Sequence, residues 1–120
     1  MYRQSLSTAV SFFKERTIIM ELKLKDICKL TLDKGTKKVM CYKFKHRQIG
    51  RELAVHEHVD YKNFSTITDV VTGMRLCDIK KEISKVTKED IKEALEKLIK
   101  HYTLEEVKKA CIIKEEKIKG

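Results

Sequence analysis

The sequence contains no proline and no tryptophan, and only four of its 120 residues are glycine. The glycines form neither a Walker-type loop nor a Gly-x-Gly-x-x-Gly loop, so the common nucleotide-binding fingerprints are absent. The four cysteines are far apart in the chain and form no Cys-x-x-Cys pair, which leaves no dithiol motif. Because there are also no internal repeats and no low-complexity linker, we expect one folded domain.

Arginine is scarce in a chain that is otherwise strongly basic. Only five of the 27 basic residues are arginine, and the formal net charge is +9. Arginine makes bidentate contacts with phosphate or guanine, whereas lysine acts as a point charge. We therefore expect any bound nucleic acid to be held by salt-sensitive backbone contacts rather than by base-specific contacts.

The first 19 residues have a weaker pattern than the rest of the chain. We interpret residues 1–19 as an N-terminal extension or a short helix, and residues 20–120 as a single α+β domain. The charged residues Arg3, Glu15 and Arg16 make the N-terminal stretch too polar for a signal-peptide core or a membrane span. We expect a cytoplasmic protein with reduced cysteines and no membrane partner.

Alternating apolar residues predict an antiparallel β-meander of four or five strands. The strands are expected near residues 27–33, 37–46, 51–59 and 64–71, with residues 74–77 pairing back as a short fifth strand. Turn residues separate these runs, among them Asp33 and Gly35 after the first run and Thr72-Gly73 after the fourth. The short turns favour strands that pair with their neighbours in chain order.

After Cys77 the apolar period changes to that of a helix. Asp78 is predicted to cap a short helix, and Thr87 is the predicted N-cap of a longer one whose apolar face runs from Ile91 to Tyr102. Thr103 and Glu106 form a capping-box pattern for a further helix. The predicted fold class is therefore α+β, with two or three C-terminal helices packed on one face of the meander.

The most strand-like run is also the most basic, and its two faces differ. One face carries Met40, Tyr42, Phe44 and His46, and the other carries Val39, Cys41, Lys43 and Lys45. The first face is the more apolar, so we expect it to look inward. The alternative is that Tyr42 and Phe44 are stacking platforms for bases, with lysines on the phosphates.

The cations of this run and of the following turn are the candidate ligand-binding site. Its members are Lys37, Lys38, Tyr42, Lys43, Lys45, His46, Arg47 and Arg51. We expect a small, non-enzymatic, basic protein whose cationic hairpin binds a phosphate-bearing ligand, either an RNA or DNA backbone or a nucleotide. The alternative is a protein-interaction module or inhibitor, of the kind that mobile elements encode, which acts on an acidic protein surface or as a homo-oligomer such as a homodimer. A solvated lysine surface without an acidic partner fits the same composition.

Two histidines form the sharpest local pattern. His56 and His58 share one strand face with Glu52, so they are close enough to share a metal ion; the alternative is that they are ordinary histidines at the solvent or at the core edge. Asp69 lies on an otherwise apolar strand face, where a carboxylate indicates a sheet edge, a pairing with lysine or a real site. No serine or cysteine lies in a nucleophile motif, so we expect neither enzyme activity nor a cofactor.

Overall fold

The computed structural model describes residues 24–119, and the predictions for residues 1–19 lie outside this range. The strands are β1 (Asp26–Leu32), β2 (Gly35–His46), β3 (Arg51–Glu57), β4 (Ser65–Asp69) and β5 (Arg75–Ile79). A short 3-10 helix (Ile83–Lys85) then leads to helices α1 (Lys88–Tyr102) and α2 (Leu104–Lys119). The predicted α+β class, a meander followed by C-terminal helices, is confirmed.

The five strands form one sheet in chain order, and all neighbours are antiparallel. Strand β2 is twelve residues long, and its two halves have different partners. Residues 35–41 pair with β1, whereas residues 42–46 pair with β3. As a result, β2 begins in a hairpin with β1 and ends in the main part of the sheet.

One face of the sheet carries the main core and is covered by the helices. Leu53, Val55 and Ile67 are fully buried there, and they belong to one apolar cluster with Ile91 and Leu95 of α1. Tyr42 and Phe44 pack against the same cluster but are only partly buried. The predicted inward orientation of these two rings is therefore confirmed, although they lie at the edge of the core.

Both long helices begin at the predicted threonines. The Thr87 hydroxyl accepts a hydrogen bond from the Asp90 backbone N–H (3.1 Å), and the Asp90 carboxylate accepts one from the Thr87 N–H (2.9 Å). This reciprocal capping box satisfies two backbone donors at the start of α1. The Thr103 hydroxyl accepts a hydrogen bond from the Glu106 N–H at 3.2 Å. The Thr103 backbone has a φ of 71°, and the chain turns from α1 to α2 at this residue.

The β1–β2 hairpin curls across the second face of the sheet. The Thr31 N–H donates to the Gly73 carbonyl (2.9 Å) and the Thr31 hydroxyl donates to the Thr72 carbonyl (2.7 Å). A second apolar cluster fills the space beneath the hairpin, and it contains Cys28, Leu30, Cys41 and Ala54. The sheet is thus covered by helices on one face and by its own hairpin on the other.

This layering corrects two predictions from the sequence. Met40 was expected to look inward, but it is 50% exposed, and the next residue, Cys41, is completely buried. The physical reason is that residues 35–41 belong to the hairpin layer, whose inner face is the Val39 and Cys41 side. The helix predicted to start at Asp78 was also wrong, because β4 offers a pairing partner: Asp78 lies in β5 opposite Thr66.

No helix among residues 24–119 is long and apolar enough to cross a membrane.

Candidate functional site

The structure distributes the predicted cationic site over several surfaces. Lys38 and Arg47 are exposed, and Lys37 lines the space beneath the hairpin. Lys43 and Lys45 point to the sheet face opposite Tyr42 and His46, because successive residues of β2 alternate. The predicted residues therefore do not converge on a single ligand-sized site.

Arg51 is used for an internal contact. Its Nε donates to Asp69 Oδ1 (2.7 Å) and its Nη2 donates to Asp69 Oδ2 (3.1 Å) and to Glu115 Oε1 (2.8 Å). Asp69 is completely buried and also accepts from the Thr72 hydroxyl at 2.7 Å. This network explains the carboxylate on the apolar face of β4, and it ties α2 to the sheet.

The first candidate region is a groove between the second half of β2 and α1. We call it the groove, and its walls are Tyr42, Phe44, His46, Lys88, Ile91, Lys92 and Leu95. It encloses about 240 Å³. The Tyr42 and Phe44 rings lie 6.0 Å apart, centroid to centroid, with their planes 21° from parallel. The groove therefore combines an aromatic and aliphatic floor with lysines from α1, and no carboxylate of residues 24–119 lines it.

His46 adds a hydrogen-bond donor to the groove. Its Nδ1 accepts from the Ile49 backbone N–H at 3.1 Å, so the hydrogen of the neutral ring lies on Nε2. Burial lowers the pKa of His46 below its ordinary value, because desolvation disfavours the charged ring. At neutral pH the positive charge of the groove comes from Lys88 and Lys92.

The second candidate region lies beneath the β1–β2 hairpin, on the other face of the sheet. We call it the cleft; it encloses about 600 Å³. Its floor is formed by polar side chains of β3, of β4 and of the residue after β3, namely His56, His58, Thr66 and Thr68. Charged residues of both signs surround this floor, namely Asp33, Lys34, Lys37, Asp60 and Arg75.

His56 is held at the floor of the cleft by two hydrogen bonds. Its Nδ1 lies 2.8 Å from the Glu57 carbonyl, which can only accept, so Nδ1 carries the hydrogen. Its Nε2 then accepts from the Thr68 hydroxyl at 2.7 Å. Burial lowers the pKa of His56, which keeps the ring neutral at physiological pH. Both ring nitrogens are thus occupied within the protein.

His58 is held differently. Its Nδ1 accepts from the backbone N–H groups of Asp60 (3.0 Å) and Tyr61 (3.2 Å), which places the ring hydrogen on Nε2. Its side chain is only 6% exposed, and Asp78 Oδ2 lies 3.9 Å from Nε2, too far for a hydrogen bond. Within residues 24–119, no hydrogen bond satisfies this buried donor.

The geometry gives the predicted metal pair no further ligand. Among residues 24–119, no group of three or more histidine, cysteine, aspartate or glutamate side chains is placed to hold a metal ion. Three of the four ring nitrogens of His56 and His58 are already hydrogen-bonded.

The cysteines Cys41 and Cys77 are poor nucleophiles, because burial raises the pKa of their thiols to about 12.

The comparisons with known proteins give no relationship: no family model, no curated protein and no solved structure matches this chain. The candidate regions must therefore be interpreted from their own chemistry.

Sequence reasoning placed Tyr42 and His46 in a binding site but missed their neighbours. Lys88 and Lys92 lie more than 40 residues later in the chain and appear there only as solvent-facing lysines of a helix. A usable signal did exist, because both residues fall one helical turn apart, beside the apolar stripe of α1.

Proposed function

We propose that this is a small, non-enzymatic binding protein that takes a phosphate-bearing ligand with a base, foremost single-stranded nucleic acid, in the groove. The observation that carries the proposal is the combination of half-buried, roughly parallel aromatic rings with a lining whose charged members, among residues 24–119, are Lys88 and Lys92. Aromatic rings give bases a sequence-tolerant stacking surface, and lysines bind phosphates as point charges.

The size of the groove favours a strand that lies along the surface over an enclosed small molecule. Its volume of about 240 Å³ is below the roughly 300–1,000 Å³ of sites that bury drug-sized ligands. One base on the floor of the groove leaves its phosphates at the rim, near Lys88 and Lys92.

The test is a fluorescence-anisotropy titration of a labelled oligothymidine strand at several salt concentrations. The expected result is binding whose logarithmic salt slope falls by about 0.7 for each phosphate contact that a variant removes. The double variant K88E/K92E is expected to weaken binding by roughly tenfold or more, since it replaces two attractive charges with repulsive ones.

The matched control is K97E/K100E, which makes the same charge change on exposed positions of α1 outside the groove. Equal losses in both double variants would show that only net charge matters, and would contradict the proposal. Titrations with thymidine monophosphate distinguish a nucleotide from a strand as the preferred form of the ligand.

A second candidate function is self-association through α2. Ile112 and Ile113 are 50% and 43% exposed, and they follow Cys111, which faces the protein interior. Adjacent exposed isoleucines on a helix fit the alternative of a protein-interaction module that works as a homo-oligomer.

Light scattering after size-exclusion chromatography tests this second candidate. If α2 is the interface, the wild-type chain elutes as an oligomer, and I112Q/I113Q elutes as a monomer. Ala110→Ser, at another exposed position of α2, is the control and keeps the wild-type mass. A monomeric wild-type chain at high protein concentration would exclude this candidate.

A further inference from the structure

We propose that the cleft, together with the smaller cavity next to it that also contains His58, binds a small, neutral, hydroxyl-rich ring, either a free sugar or the ribose of a nucleoside. This inference is independent of the groove, which lies on the other face of the sheet. It starts from the Nε2–H of His58, which has no hydrogen-bond acceptor among residues 24–119 and belongs to a side chain that is only 6% exposed. A buried donor without a partner is costly, so a bound acceptor at this point is favourable.

The atoms around this donor specify the kind of partner. Asp78 Oδ2 lies 3.9 Å from His58 Nε2 and 3.8 Å from Arg75 Nη1. These separations are too long for direct hydrogen bonds. An oxygen about 2.8 Å from both His58 Nε2 and Asp78 Oδ2 fits between these two atoms. Such an oxygen must accept from His58 and donate to Asp78, which a hydroxyl group or a water molecule does and an unprotonated phosphate or carboxylate oxygen does not.

The charges of the cleft also disfavour an anion. Lys34, Lys37 and Arg75 supply the positive charges of the lining. They are matched by the carboxylates of Asp33 and Asp60 in the lining, and of Asp78 beside His58. A balanced rim gives no net attraction for phosphate, in contrast to the groove, where the charged lining residues found within 24–119 are both lysines.

The shape of the region accommodates a ring of this kind. The cleft encloses about 600 Å³, which is within the size range of small-molecule sites. Next to it is a smaller cavity of about 380 Å³, which shares His58, Asp60 and Arg75 with the cleft and is otherwise lined by Tyr61, Phe64 and Asp78. The gap between His58 and Asp78 therefore opens into this smaller cavity. Tyr61 is 63% exposed, so its ring is available to pack against the C–H face of a sugar.

Saturation-transfer difference NMR on the full chain tests the proposal with ribose, glucose and adenosine as probes and inorganic phosphate as the competing anion. The expected result is binding of at least one hydroxylated probe with a Kd on the order of 1 mM or tighter. Binding of adenosine alone identifies a nucleoside as the source, whereas binding of ribose or glucose identifies a free sugar.

The deciding variant is Asp78→Asn, which keeps the shape and can still accept from the Thr66 hydroxyl. It is expected to weaken binding about tenfold, while Glu93→Gln, an exposed carboxylate on α1, leaves it unchanged. Arg75→Gln is a second variant at an exposed position, and it is expected to weaken binding by a smaller factor. Failure of all three probes to bind, equal binding by Asp78→Asn, or displacement by phosphate would each overturn the proposal.

Discussion

The groove and the cleft lie on opposite faces of one sheet and have opposite chemistry. The groove has an apolar, aromatic floor, and in the described part of the chain the charged residues of its lining are two lysines. The cleft has a floor of imidazoles and hydroxyls, and a rim with both signs of charge. A net charge of +9 alone would suggest that either region attracts phosphate, but the local balance shows that the groove is the one suited to it.

The difference arises from the path of β2. Its second half belongs to the main sheet and turns Tyr42 and Phe44 toward α1, whereas its first half crosses to the hairpin layer and covers the cleft. One strand thereby builds parts of two regions. The following predictions concern first the packing between the sheet and α2, and then the cleft and the groove separately.

The largest effect is expected from Asp69→Asn, which disturbs the ion-pair network that joins the sheet to α2. The variant leaves the Arg51 guanidinium without its buried anionic partner, and loss of one member of a buried ion pair costs about 3–5 kcal/mol. Urea unfolding measures the change in the free energy of unfolding. Glu115→Gln removes the more exposed partner of Arg51 and is expected to cost clearly less; equal costs would contradict the central role of Asp69.

Gly73→Ala should damage the cleft, because it disturbs the point where the hairpin meets the β4–β5 turn. A Cβ at Gly73 would lie 2.5 Å from the Lys29 carbonyl oxygen, and the residue has a φ of +72°. We expect a loss of roughly 3 kcal/mol from backbone strain and the clash together.

Gly50→Ala is the matched control for this loss, since Gly50 has a φ of +73° but no atom of residues 24–119 lies within 4 Å of the added Cβ. Its expected cost is about 1 kcal/mol, from the left-handed conformation alone. Similar unfolding free energies for the two variants would mean that the close approach of the hairpin does not contribute to stability.

Phe44→Ala should damage the groove with a moderate cost in stability. Because Phe44 is only partly buried against the main core, the expected loss is about 2 kcal/mol, below the 3–5 kcal/mol of a fully buried phenylalanine. The same variant should weaken oligothymidine binding while leaving ribose binding unchanged. A thermal midpoint that barely moves would contradict the packing of this ring on the core.

The smallest effect is a pH dependence that originates in the cleft. Burial lowers the pKa of His56 from its ordinary value of 6.5, so the unfolded chain takes up a proton before the folded chain does. The free energy of unfolding is therefore expected to decrease as the pH falls below about 6.5, until the folded state is protonated too. The lowered pKa of His46 adds to this trend with the same sign.

Urea unfolding at pH values on both sides of this range checks the prediction. His56→Gln should reduce the dependence and leave the part that arises from His46. The exposed residue His101 is the control position, and His101→Gln should give the wild-type curve. If the free energy of unfolding changes with pH by the same amount in the wild type and in His56→Gln, His56 does not contribute to the pH dependence.

Local patterns were sufficient for most of the fold. The alternation of apolar residues predicted the strands, and Thr87 and Thr103 marked both helix starts because capping depends on residues only a few positions apart. The inner face of β2 was predicted incorrectly around Met40, since the strand changes layer midway and the buried face changes with it.

The candidate regions depended on contacts that no local pattern contains. The partners of Arg51 lie 18 and 64 positions away, so the sequence could not show that this arginine is used internally. The groove needed Lys88 and Lys92 from a helix far along the chain, and the cleft needed the hairpin to curl across β3 and β4. Tyr42, His46 and the pair His56 and His58 could be proposed as candidates from the sequence because the alternation along β2 and β3 places residues two apart on one face.

The most direct test of the division between the two regions is a map of backbone amide shifts by NMR during titration with oligothymidine. The account predicts salt-sensitive changes in the amide shifts of Tyr42, Phe44 and His46 and of Lys88 and Lys92 in α1. The amide shifts of His58, Tyr61 and Asp78 are expected not to change. Shifts confined to the cleft, or the absence of any shift at low salt, would contradict it.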